Sequence, residues 1–147
     1  MKGVHIAVGV IAIALNTATF FWGAWCYWRA EPSAWFWRLL RAAQVAIVLQ
    51  AALGGVLVAM GHKPKGIHVV YGLLPIAVSF IGEQLRIASA QMILDSRGLD
   101  SAKAVGELPA EEQRGVVVAI VQREIGVMTL AALVIVVLAA RAAGTAG

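Results

Sequence analysis

Four long apolar runs, separated by two short polar turns and one longer polar connection, constrain this chain more than any other feature. A helix needs roughly 20 mainly apolar residues to cross a bilayer. The lipid interior offers no partner for unpaired backbone groups, so only helices and closed barrels span it. Val4 to Tyr27 and Leu40 to Met60 meet the helical length, while Ile67 to Gly82 and Ile125 to Ala140 continue into more polar helical stretches that let them span. The sequence therefore predicts an all-α integral membrane bundle of four transmembrane helices, a single domain over 1-147 with approximate spans 4-27, 39-61, 67-92 and 114-141.

Composition agrees with lipid as the solvent. Of 147 residues, 61% are hydrophobic and 14% charged, whereas a soluble domain averages about 45–50% and about 25%. The first run is longer than the roughly 7–15 residues of a signal-peptide core and leads into "WCYW" rather than a small-residue cleavage site, so it reads as the first span. Cys26 is the only cysteine, which excludes an internal disulfide and a CxxC redox or zinc motif. No Gly-rich phosphate loop, GxSxG elbow or HExxH is present.

The connection 93-113 carries turn residues at Ser96 to Gly98 and a helix-entry signal at Pro109, with Glu111 and Glu112 in the first turn, where the helix dipole favours acids. Helix 4 is expected to start near Pro109 and to run as an interfacial lead-in before entering the membrane. The net charge of +4 is read as orientation rather than nucleic-acid binding. Lys2, Lys63, Lys65 and Arg141 fall on one side, and Arg29, Arg38, Arg41, Arg86, Arg97, Lys103, Arg114 and Arg123 on the other. The positive-inside rule makes the second side cytoplasmic and both termini extracytoplasmic, in a multi-pass protein of the cell membrane. All five tryptophans lie between Trp22 and Trp37, around the first cytoplasmic loop.

Counting about 1.5 Å per residue inward from the outer ends of the helices sorts the polar residues into layers. His5, His62 and His68 fall near the outer face, with Lys63, Lys65 and Tyr71 beside them. Asn16, Gln50, Ser79 and Thr129 fall near the midplane, and Glu83, Arg86, Arg123 and Glu124 toward the cytoplasmic end. On helix 3, His68, Tyr71, Gly72, Pro75, Ser79, Gly82 and Arg86 trace one face of a 3.6-residue period; His5, Gly9, Ala12, Asn16, Thr19 and Gly23 do so on helix 1. Small and hydrogen-bonding residues collect where membrane helices touch, so these stripes are expected to face the bundle interior.

Each layer has a structural and a functional reading. The histidines and lysines are either interface residues of a short hairpin or ligands of a metal or cofactor, such as a b-type haem with Lys63 and Lys65 toward its propionates. The midplane residues form an interhelical hydrogen-bond layer or an ion path. The charged residues form a structural ion-pair network or the entrance to a proton or docking site.

The segments "GHKPKGIHVVYGLLP" and "EQLRIASAQMILDSRGL" resemble a group of small four-helix integral membrane proteins typical of high-GC actinobacteria, a resemblance that implies the fold and carries no activity. A looser likeness is to four-helix cytochromes of the b561 kind, which present histidines on facing helices in two layers, one per haem. This chain has one layer, so that likeness implies at most a single outer haem b. Three functions are carried forward. The first is an accessory or assembly subunit of a membrane complex without its own catalysis. The second is a mono-haem or quinone-linked redox module using His5, His68 and His62, and the third a small oligomeric transporter. The expected partners are the lipid bilayer and either further copies of the chain or a larger membrane complex.

Overall fold

The computed structural model describes residues 1–145. It contains α1 (Lys2–Arg29), α2 (Ala34–Ala59), α3 (Gly66–Ser96), α4 (Ala102–Gly106) and α5 (Ala110–Gly144). The four long helices are each apolar and long enough to cross a membrane. The protein is thus an all-α membrane bundle, with α4 as a short interfacial helix. At about 1.5 Å per residue, α1 is about 42 Å long and α5 about 52 Å.

The helix boundaries follow local chemistry. Ser33 caps α2, its hydroxyl accepting from the Phe36 amide and from the Trp22 indole Nε1 at 2.9 Å, which ties the start of α2 to the end of α1. Ala30 closes α1 in the left-handed region (φ 52°) and lets the chain reverse within four residues. Pro109 precedes α5 as its N-cap, and Glu111 and Glu112 occupy the first turn. The connection 93-113 is more ordered than a lead-in alone, because α3 extends to Ser96 and Ser101 caps the single-turn α4. Leu94, Val105 and Val116 are buried together there, so α4 covers the apolar ends of α3 and α5 where they leave the bilayer.

Each helix buries one narrow stripe. On α1 it is Ala12, Asn16, Thr19, Gly23 and Cys26, and on α3 Pro75, Gly82, Ser89 and Leu94. The α5 stripe is more apolar, running through Ile125, Met128, Ala132 and Ile135. Two clusters result. Cys26, Phe36, Leu40, Ile125 and Met128 fill one half of the bundle, and Ala12, Ala46, Ile47 and Ile135 the other. Side chains on the opposite faces are exposed, among them Phe21 at 66% and Phe80 at 64%. In water these would form adhesive patches, whereas hydrocarbon solvates them as well as a protein core does.

The packing around the ring is uneven. Helix α5 lies against both α1 and α3, and α1 lies along α2, but α2 and α3 meet only over a short stretch. Helices α1 and α3 are therefore diagonal across the bundle, and the α2–α3 side is open to lipid as a groove of about 220 Å³.

Candidate functional site

The diagonal pair α1 and α3 brings His5 and His68 together, edge to face. Their ring centroids are 6.3 Å apart and the ring planes cross at 64°. Both residues are partly buried. His68 is oriented by a 2.9 Å contact from Nδ1 to the Ala142 carbonyl of α5, so Nδ1 carries the proton and donates, leaving the Nε2 lone pair free. His5 Nε2 lies 3.2 Å from the Gln50 amide nitrogen of α2. With Gln50 donating, the His5 proton sits on Nδ1, which is buried and has no partner; Gln50 Oε1 is buried without a partner as well. Turning the amide over lets Oε1 accept from His5 Nε2–H and frees the Nδ1 lone pair. In that state each imidazole is held by one hydrogen bond and offers a lone pair at its other nitrogen, the pattern that orients metal-ligating histidines.

Small residues make this corner possible. A Cβ at Gly9 would come within 2.9 Å of Gln50 Nε2, and one at Gly54 would touch His5 Cε1 at 3.4 Å. Two hydrogen-bonding side chains fit between α1 and α2 because both backbones lack side chains there.

The other residues expected at the histidine end are arranged differently. His62 lies in the turn after α2; its Nδ1 is buried and unpartnered, but it makes no three-residue ligand set with the facing pair, since no group of three His, Cys, Asp or Glu among the described residues is placed to hold a metal ion. Lys63 and Lys65 are exposed, and Tyr71 is partly buried on the His68 face of α3. With Lys2 and Arg141 they make the histidine end cationic, and no Asp or Glu side chain lies at that end.

The four polar residues assigned to the midplane make no hydrogen bonds to one another. Asn16 donates to the Ala12 carbonyl of its own helix at 2.8 Å, and Gln50 reaches His5. Ser79 Oγ and Thr129 Oγ1 are buried without partners, the latter against Gly23. Gln50 meets His5 because α1 and α2 are in register from their shared turn, which sets Gly23 against Phe36 and His5 against Gly54. Counting inward from the opposite ends misses that offset; counting back from the turn at 30–33 would have found it.

At the other end, Arg86 bridges two carboxylates, Nε to Glu83 Oε2 at 3.0 Å and Nη1 to Glu124 Oε1 at 3.2 Å, while its guanidinium lies 5.4 Å from the Trp37 ring centroid. Glu83 Oε1 accepts from Gln44 Nε2 at 3.0 Å and from Arg41, an arginine of α2 that completes the network. Arg123 is exposed and forms no ion pair among the described residues. Arg41 was legible as a charge within an apolar run; its partner emerged only with the α2–α3 packing.

No protein family, curated protein or solved structure matches this chain.

Proposed function

We propose that the protein is a mono-haem membrane redox module in which His5 and His68 would hold a b-type haem. The observation that carries this reading is the close approach of the two imidazoles from diagonal helices, with centroids 6.3 Å apart. That separation is compatible with one metal held between the two rings. An edge-to-face pair without metal falls in the same range of about 4.5–7 Å, so a spectrum discriminates between them.

Three features support the reading. His68 Nδ1 is tied to the Ala142 carbonyl and His5 to Gln50, so each ring is oriented by a neighbouring group. The ligand set contains two histidines and no third, which suits a metal whose remaining positions are filled by a macrocycle better than a bare zinc ion with its three or four protein ligands. The cationic end, with Lys63 and Lys65 nearest His68 in sequence, complements the two carboxylates of a haem.

When bound, the haem supplies one-electron transfer; the chain orients the ligands and sets the electrostatics around them. The excess of arginine and lysine at the opposite end supports a cytoplasmic location for that end and an extracytoplasmic one for the histidine site. With a single histidine layer the chain does not carry electrons across the membrane alone. Its proposed role is as an electron-carrying subunit serving a partner at the outer face.

The test is a reduced-minus-oxidised visible spectrum of the detergent-purified protein expressed with haem supplied. A Soret and an alpha band are expected. Each should be abolished or shifted by His5→Ala and by His68→Ala, and left in place by His62→Ala. Absence of the bands in the unmodified protein refutes the reading, and bands indifferent to both substitutions refute the ligand assignment.

A further inference from the structure

We propose that the groove between α2 and α3 is a binding site for one anionic phospholipid, whose phosphate is held at Arg38 and Arg41 and one of whose acyl chains lies between the two helices. The inference is independent of the histidine site and rests on three observations.

The first is access. Helices α2 and α3 diverge, and the groove of about 220 Å³ between them opens sideways. Its walls are Ile47 and Val48 of α2 and Ile76 and Phe80 of α3, with Val48 and Phe80 exposed at 57% and 64%. This apolar stretch takes a hydrocarbon chain, while Arg41, Gln44, Ser79 and Glu83 make the rest of the lining polar.

The second is charge. Arg38, Arg41 and Arg86 face only two carboxylates, Glu83 and Glu124, and both of those are engaged by Arg86. Arg41 shares Glu83 with Arg86 and keeps 53% of its side chain exposed; Arg38 forms no ion pair among the described residues and lies 5.2 Å from the Trp35 ring centroid. Arg38 and Arg41 project from one face of α2, one turn apart; Arg38 rests over Trp35 and Arg41 reaches Gln44 and Glu83, so a phosphate between them would draw the two guanidinium groups together. Arg41 is 18 residues from Ala59 at the far end of α2, about 27 Å along the axis, which puts it at the boundary of a roughly 30 Å hydrocarbon core where phosphates lie.

The third is a polar atom at the matching depth. Ser79 lines the groove, and its hydroxyl is buried with no partner. It is one turn deeper than Glu83, about 6 Å along α3. An acyl ester carbonyl, just inside the phosphate, falls at that level, and a turn of the Ser79 side chain into the groove would let its hydroxyl donate there. This satisfies a donor that the helix itself leaves unpaired.

Native mass spectrometry tests the proposal on the intact protein released from detergent after addition of phosphatidylglycerol or phosphatidylcholine with identical acyl chains. One phosphatidylglycerol should be retained in preference to phosphatidylcholine, and the preference should fall about fivefold for each arginine removed. Arg38→Gln/Arg41→Gln should bring the two lipids level, Arg38→Lys/Arg41→Lys should retain the preference, and Ile76→Trp, which fills the groove, should weaken both lipids. Circular dichroism of each variant verifies that the helices are intact, and if the glutamine pair does not fold, the lysine pair and Ile76→Trp carry the test. Equal retention of the two lipids by the unmodified protein overturns the proposal. So does a preference untouched by the arginine substitutions, or one removed instead by Lys63→Gln/Lys65→Gln at the opposite end.

Discussion

Gly23 sits where three helices converge, and replacing it with alanine tests the packing more sharply than any other small substitution. A Cβ at this position would overlap Thr129 Oγ1 and lie 2.5 Å from Phe36 Cε2 and 3.1 Å from Phe36 Cδ2. Neither neighbour can yield cheaply. Phe36 is 0% exposed and forms a cluster with Cys26, Leu40, Ile125 and Met128, and Thr129 is 6% exposed. Overpacking of this kind costs about 1–3 kcal/mol, and the clash with two fixed groups belongs in the upper part of that range. Against it stands a gain of about 0.8–1.0 kcal/mol from replacing glycine in a helix interior. The expected net destabilisation is about 1–2 kcal/mol, a factor of about 5–30 in the folded population. Two comparisons make the number interpretable. Gly72→Ala, with no atom within 4 Å of the new methyl, should be neutral or stabilising. Gly126→Ala meets Tyr27 at 2.9 Å, but that ring is 48% exposed and can turn outward, so the loss should be smaller. Unfolding by SDS in mixed micelles, followed by far-ultraviolet circular dichroism, orders the three variants. Phe36→Leu in the Gly23→Ala background should recover part of the loss, the sign of direct coupling. A Gly23→Ala protein as stable as the unmodified one would refute the three-helix contact at this point.

Two further outcomes follow from the arginine end. Glu83→Gln leaves Arg86 with Glu124 alone and removes the carboxylate between α2 and α3; charge-assisted hydrogen bonds of this kind contribute about 1.5–3 kcal/mol, so the same micelle titration should shift clearly, while Arg123→Gln should fall within about 0.5 kcal/mol of the unmodified protein. Topology is open to labelling with a membrane-impermeant maleimide, because the native Cys26 is buried and contributes little background. A cysteine at Lys63 should react from outside intact cells and one at Lys103 only after lysis; the reverse pattern would invert the proposed orientation.

Much of the architecture was determined by the sequence alone. Apolar runs of spanning length leave no alternative to helices, because unpaired backbone groups are not tolerated in hydrocarbon. The stripes of small and polar residues on helices 1 and 3 identified the buried faces, since Ala12, Asn16, Thr19 and Gly23 are indeed inside, as are Pro75 and Gly82. The start of α5 was legible at Pro109 with its two following acids. These are local properties, readable from period and composition along one helix at a time.

Only the tertiary structure decided which residues meet. Periodicity fixes the angular position of a side chain on its own helix but not the axial register between helices. Offset by the α1–α2 turn, His5 meets Gln50 and Gly54 instead of His62, and the diagonal placement of α1 and α3 sets His68 opposite it. The same freedom brought Arg41 to Glu83, left Arg123 outside the network and kept α2 from closing on α3. Register and neighbour choice depend on the summed fit of many weak contacts across the bundle, and no single stretch of the chain contains that sum.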